Sequence, residues 1–241
     1  MVSAAAFVRQ LVTAYLHHGY WWYVADTIPA HKRDLHKVDR NIIDRWRIDL
    51  PRRQRILRKH QGRANLHYLR HDRFFVILAT GGQHEFKQHN AASLRCIKND
   101  RLFYGGYSVR YAQAGYKSRA KWKDPNIAER DPKRRAHVRI ERREYEALRA
   151  QFLELALHRS VDYLRAVFWN VPFDAYQPVQ WQLHVIRREV NALRKTAGIE
   201  PLSPDCVRSK LQPMRRYMGD STEASCQRVF PTTETTSGVF D

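Results

Sequence analysis

Acids are scarce in this chain. Its 241 residues hold 24 Asp and Glu against 43 Lys and Arg, for a formal net charge of +19. So large an excess says little about fold and much about partners: nucleic acid first, an anionic surface second. Cysteine is scarcer still, with Cys96, Cys206 and Cys226 only. Three dispersed thiols argue against a disulfide framework and a cysteine-based zinc knuckle, and a reducing cytosol is the natural setting. No run of about 18 or more apolar residues occurs, so no spanning helix is expected. The N-terminus has no basic start leading into a long apolar stretch, and no secretory signal is expected either.

Several chemical signatures are missing too. There is no Gly-x-x-x-x-Gly-Lys loop, no Gly-x-Gly-x-x-Gly fingerprint and no serine elbow, which leaves nucleotide hydrolysis, dinucleotide chemistry and serine hydrolysis unsupported. The 12 histidines include no His-x-His pair. That counts against rolling-circle nicking, where two such histidines on one strand point at one metal. His67-Tyr68-Leu69-Arg70-His71 is superficially similar to the histidine box of tyrosine recombinases. That box sits on a helix, with a further Arg far upstream. Here the following Phe74-Phe75-Val76-Ile77 favours a strand, and only 66 residues precede it.

Apolar residues make up 43% of the chain, enough to bury a core. Their spacing predicts an α+β fold: a small mixed or antiparallel sheet packed by helices, with a helical C-terminal portion. Residues 1–219 form one basic domain, sheet-containing over 1–140 and helical over 141–219. Residues 220–241 hold four acids and one Arg among Thr, Ser and Pro, and are expected to be a disordered tail. Without that tail the net charge rises to +22, so the basic character belongs to the body.

Helices are predicted over 3–18, capped by Ser3 and closed by Gly19, over 34–47, and from Pro51 to about Lys59. Strands are predicted over 20–25, over a hairpin at 65–79, over 103–111 as a pair or one kinked strand, and over 136–140. Gly81-Gly82 is expected to turn the chain tightly, setting Glu85 opposite Leu78. Further helices are expected over 141–158, from Ser160 to Trp169, and from Pro178 to about residue 197. The last has the clearest stripe: Val179, Leu183, Ile186, Val190 and Leu193.

Three basic stretches are candidates for phosphate contact. Residues 45–63 hold eight Lys or Arg and one acid, including Arg52, Arg53, Arg55, Arg58 and Lys59. Residues 116–143 hold eleven against four acids. There Lys117, Arg119, Lys121, Lys123, Lys133, Arg134 and Arg135 offer charge, and Tyr116 and Trp122 offer faces for stacking. The 178–197 helix presents Gln180, His184, Arg187, Arg188, Asn191, Arg194 and Lys195 opposite its apolar stripe. Gln, Asn and Arg are the types that read base edges in a major groove. The Gly105–Tyr111 segment has a partial likeness to an RNA-recognition strand, whose aromatics alternate on one face. The plainer reading is a sheet strand with a glycine bulge.

The expected function is nucleic-acid binding, with DNA favoured over RNA, in a mobile-element, replication or processing system suggested by composition alone. The expected location is intracellular. Two alternatives stand beside it. One is a metal-dependent nuclease or strand-transferase using Asp72, Glu85 and Lys87, where two carboxylates would hold Mg²⁺ and the Lys would steady developing charge. The other is an RNA-binding scaffold in a ribonucleoprotein, with protein partners. No cofactor is expected otherwise, and no membrane partner, since no helix has the pattern of an interfacial segment.

Overall fold

A computed structural model describes residues 3–115 and 131–209. Its fold is α+β, with two antiparallel sheets where one was expected. The basic segment 116–130 and the tail lie outside the described residues.

Helix α1 spans Ala4–Gln10, and the Ser3 hydroxyl accepts from the Ala6 amide at 3.1 Å. The helix loosens through a π-turn at Leu11–Tyr15 and a 3₁₀ turn at Leu16–His18, and ends at Gly19 with φ +92°. Strand β1 (Trp22–Thr27) follows, then α2 (Leu35–Arg45) and α3 (Arg52–His60). The hairpin of β2 (Leu66–His71) and β3 (Phe74–Ala79) turns at Asp72-Arg73, with Asp72 at φ +51°. Asp is among the few non-glycine residues that tolerate that region. Strand β4 is short (Arg95–Cys96). The first sheet has the order β2-β3-β1-β4, with Leu69 opposite Val76 and Leu78 opposite Tyr23.

Gly82 does not close a hairpin. The chain enters a short helix, α4 (Glu85–His89). Gly82 has φ +103°, and a Cβ there would lie 2.4 Å from the Gly62 carbonyl oxygen. The backbone is pinned here because Gln83 N–H donates to Gly62 O and Ala64 N–H to Gln83 O.

The second sheet, of order β5-β6-β7, holds β5 (Leu102–Tyr104), β6 (Tyr107–Gln113) and β7 (Arg134–Ile140). Ile97 joins the two sheets. Its amide donates to Trp21 O, and its carbonyl accepts from Tyr111 N–H. Three helices complete the body: α5 (Arg142–Leu155), α6 (Val161–Trp169, capped by Ser160) and α7 (Gln177–Thr196).

The period of two in a strand sorts its side chains between faces. In the first sheet, Tyr23, Leu69, Val76 and Leu78 meet Phe7, Leu11 and Leu16 of the N-terminal helix. The other face, with Val24, Leu66, Ile77 and Ala79, packs on Ile48 and Phe86 beneath α2 and α4. In the second sheet, Tyr107, Val109, Tyr111, Val138 and Ile140 point into the larger core, which α5–α7 close with Phe152, Phe168, Ile186 and Val190. Each fully buried Phe of that set contributes roughly 1.5–3 kcal/mol relative to exposure. On the opposite face of the second sheet Phe103, Arg110, Arg135 and Arg139 are exposed and Ser108 is buried.

Candidate nucleic-acid interface

The outer face of the second sheet follows from strand alternation. Tyr107, Val109 and Tyr111 go inward, so Ser108, Arg110 and Ala112 go outward. On β7, Val138 and Ile140 go inward, and Arg135, His137 and Arg139 go outward. The register aligns Phe103, Ser108 and Arg139 in one row, and Arg110 with His137 in the next. Arg101, Ser108, Arg110, Ala112, His137 and Arg139 line a shallow open cavity of about 300 Å³. None of the strand residues on this face is acidic. Asp131, just before β7, pairs with Arg135 at 2.9 Å. Arg101, Arg110 and Arg139 make no ion pair among the described residues, and Arg110 reaches only the Lys98 carbonyl at 3.4 Å.

Electrostatics follow from that crowding. Burial holds His137 below the ordinary imidazole range, and the Arg139 and Arg110 charges push it the same way. A neutral His137 among guanidinium groups is an arrangement that an anion would relieve. The arginines keep their charge at any physiological pH, so the face stays cationic.

The strands also lead to the basic segment. Ala114 N–H donates to Lys133 O, and Asp131 N–H to Gly115 O, so the β6–β7 ladder continues to the edges of residues 116–130. Lys117, Arg119, Lys121, Trp122 and Lys123 lie outside the described residues. Lys133, Arg134 and Arg135 are exposed, and the last two sit on β7, not in the loop expected for them.

A second basic surface is α3. Arg52, Arg53 and Lys59 are exposed on it, as are the apolar Ile56 and Leu57. Arg55 and Arg58 are half-buried. Arg55 shares a small cavity with His67 and Tyr68. Burial and then the Arg55 charge lower His67 to about 4, so its ring is neutral near pH 7. Arg58 is held below its usual value by burial, then by Arg63 and Arg47. Beside α2 a larger concavity of about 490 Å³ holds Lys32, Arg33, Lys37 and Arg45, but also Asp34. The sheet face is the cleaner cationic surface of the two.

The polar side of α7 is mostly occupied by the fold itself. Arg194 is 1% exposed and donates to the carbonyls of Glu200, Ala156 and Arg159 at 2.6–2.8 Å. Leu193, expected in the stripe, is 40% exposed instead. Arg187 and Asn191 both donate to Leu202 O, and Asn191 Oδ1 accepts from Leu202 N–H. Gln182 is buried and brackets Ile140, accepting from its amide and donating to its carbonyl. Arg194, Arg187 and Asn191 therefore cannot reach a groove as placed. Arg188 and Lys195 remain exposed.

The carboxylate site is not assembled. Asp72 lies at one end of β3 and Glu85 beyond the other, and the strand between them is about 17 Å long at about 3.3 Å per residue. Lys87 Nζ donates to Thr80 O and Gly82 O at 2.8 and 2.9 Å, under the ring of Trp22. Among the described residues no three His, Cys, Asp or Glu are grouped to hold a metal ion. The likeness of Gly105–Tyr111 to an RNA-recognition strand fails on orientation: Tyr107 and Tyr111 are buried, and Tyr107 accepts from the Asp174 amide at 2.7 Å. The recombinase-like box lies on β2, as the apolar run beside it implied.

Sequence reasoning passed over Arg101, Phe103, Arg110, His137 and Arg139. The signal was present in Arg135-Ala136-His137-Val138-Arg139-Ile140, whose alternation puts every basic residue on one face. No protein-family model, no curated protein and no solved structure matches the chain. No helix among the described residues is long and apolar enough to cross a membrane.

Proposed function

We propose that this protein binds nucleic acid through its phosphates, using the outer face of β5–β6–β7 as the main contact. One observation carries the reading: a sheet face on which Arg101, Arg110 and Arg139 are exposed and make no ion pair among the described residues, with no acid among its strand residues and a concavity between them. An exposed row of guanidinium groups with no acid beside it among the described residues fits a polyanion. Segment 116–130 extends from the same two strands, and Arg52, Arg53 and Lys59 of α3 supply a second patch. DNA is the first partner to test, with RNA beside it.

The test is a salt series with duplex DNA, single-stranded DNA and structured RNA. The expected result is a linear fall of log affinity with log salt, with a slope of about −0.9 per phosphate contact on duplex and about −0.7 on single strands. Absence of salt-dependent binding to all three at low salt would sink the reading. Mg²⁺ added to the same samples reads out strand cleavage.

A further inference from the structure

The sheet face carries one side chain that phosphate binding does not explain. Phe103 is 53% exposed, on a strand whose other members, Leu102 and Tyr104, are buried and half-buried. It stands in the same row as Ser108 and Arg139, with the small Ser108 between them. At about 4.8 Å between strands, Phe103 and Arg139 sit about 10 Å apart at their Cα atoms, either side of Ser108, which is itself buried. Arg101 lies two residues before Phe103 and lines the cavity with Arg110 and Arg139. The cavity, about 300 Å³, is at the small end of ligand pockets, roughly 300–1,000 Å³. It suits one nucleotide unit and not a domain or a helix.

Resting on the nucleic-acid reading, we propose that this face selects a single-stranded polynucleotide, stacking one unpaired base on Phe103 while Arg101, Arg110 and Arg139 hold the flanking phosphates. In a duplex the base faces are occupied by their neighbours, so an exposed phenyl ring gains nothing from them. In a single strand each base has a free face, and an aromatic beside a cationic groove captures it without regard to sequence. Successive outward residues on β7 are about 7 Å apart, close to the step between phosphates along one extended strand. The chemistry is shared by DNA and RNA, and the two are separate arms of the test.

The experiment measures binding of the full chain to four probes at matched salt: a single-stranded DNA oligonucleotide, the same sequence in RNA, its DNA duplex, and an abasic phosphodiester strand of equal length. The expected result is tighter binding of the single strands than of the duplex. Phe103→Ala weakens the base-bearing strands roughly tenfold or more and leaves the abasic strand within about twofold, while Phe103→Trp retains binding. Arg110→Ala weakens the base-bearing and abasic strands alike. Equal or tighter duplex binding overturns the proposal, as does a Phe103→Ala effect that is absent or identical on the abasic strand. In those cases salt-dependent binding persists and the broader reading stands. Loss of all salt-dependent binding removes both.

Discussion

On α7, Arg194 is almost fully buried and its guanidinium donates to three backbone carbonyls. On β6 and β7, Arg110 and Arg139 are exposed and make no ion pair among the described residues. In the sequence the two regions look alike, each a basic stretch beside an apolar pattern. The difference lies in what surrounds them. The end of α7 meets chain segments at 156–159 and 200–202 whose carbonyls lack partners of their own, and long donors from the helix satisfy them. Buried carbonyls need such partners. On the outer face of the sheet Arg110 and Arg139 stay exposed and find no acid among the described residues, so they are left for something else. Positive charge in a sequence thus divides into cations that hold the fold and cations that await a partner.

The largest test of that division is Arg194→Met. It leaves one buried and two partly buried carbonyls without that donor, and the expected loss of stability is about 3 kcal/mol, read by denaturant unfolding. Affinity for nucleic acid per folded molecule should be unchanged. A loss below about 1 kcal/mol would show that Arg194 is not a structural tie.

The next test probes Arg55, which faces His67 and stands between the two classes. The folded-state value of His67, about 4, lies below the ordinary imidazole value of 6.5. Above pH about 6.5 the ring is neutral both folded and unfolded, and its contribution is complete. As pH falls from about 6.5 toward 4, the unfolded chain takes up a proton that the folded chain refuses, and stability declines. The effect should be on the order of 2 kcal/mol, since the ring is only partly shielded from solvent. His67→Gln should flatten that part of the stability-versus-pH curve. An identical curve in the variant would place the acid sensitivity elsewhere.

On the sheet face the signs reverse. Arg110→Ala and Arg139→Ala should each change stability by no more than about 0.5 kcal/mol, and each should weaken nucleic-acid binding about tenfold. His137 sharpens the same point. It is held low in the free protein by burial and by two arginines, and a bound phosphate would favour its charged form. Binding should then take up a proton and tighten as pH falls, and His137→Gln should reduce that dependence. Affinity that weakens on acidification would contradict the placement of phosphate beside this ring. The smallest effect is expected at Arg188 and Lys195, exposed on α7, whose alanine variants should stay within about 0.5 kcal/mol of the parent in stability.

Much of the fold was legible. Ser3, Gly19, Ser160 and Pro178 marked helix ends because caps act through local geometry. The hairpin at 65–79 followed from its two apolar runs around a polar turn. The split into two sheets was not legible, because which strands pair is decided by contacts between distant segments that no local pattern announces. The Gly81-Gly82 turn was misread for a related reason. Gly82 is glycine because the Gly62 carbonyl approaches it, a long-range contact that no local pattern announces. The candidate site was half legible. Charge at 133–135 was noted, yet the row of Phe103, Ser108 and Arg139 exists only once register is set. On α7, a step of three or four from Val190 reaches Leu193 or Arg194. Apolarity favoured Leu193, and the carbonyls nearby favoured Arg194.

The most direct measurement is the salt slope of single-strand binding for the parent and for the Arg110→Ala/Arg139→Ala double variant. If these two arginines contact phosphates, the slope should become shallower by about 1.4, at about 0.7 per contact, while the unfolding midpoint is kept. An unchanged slope and affinity would contradict the assignment of this face as the one that binds.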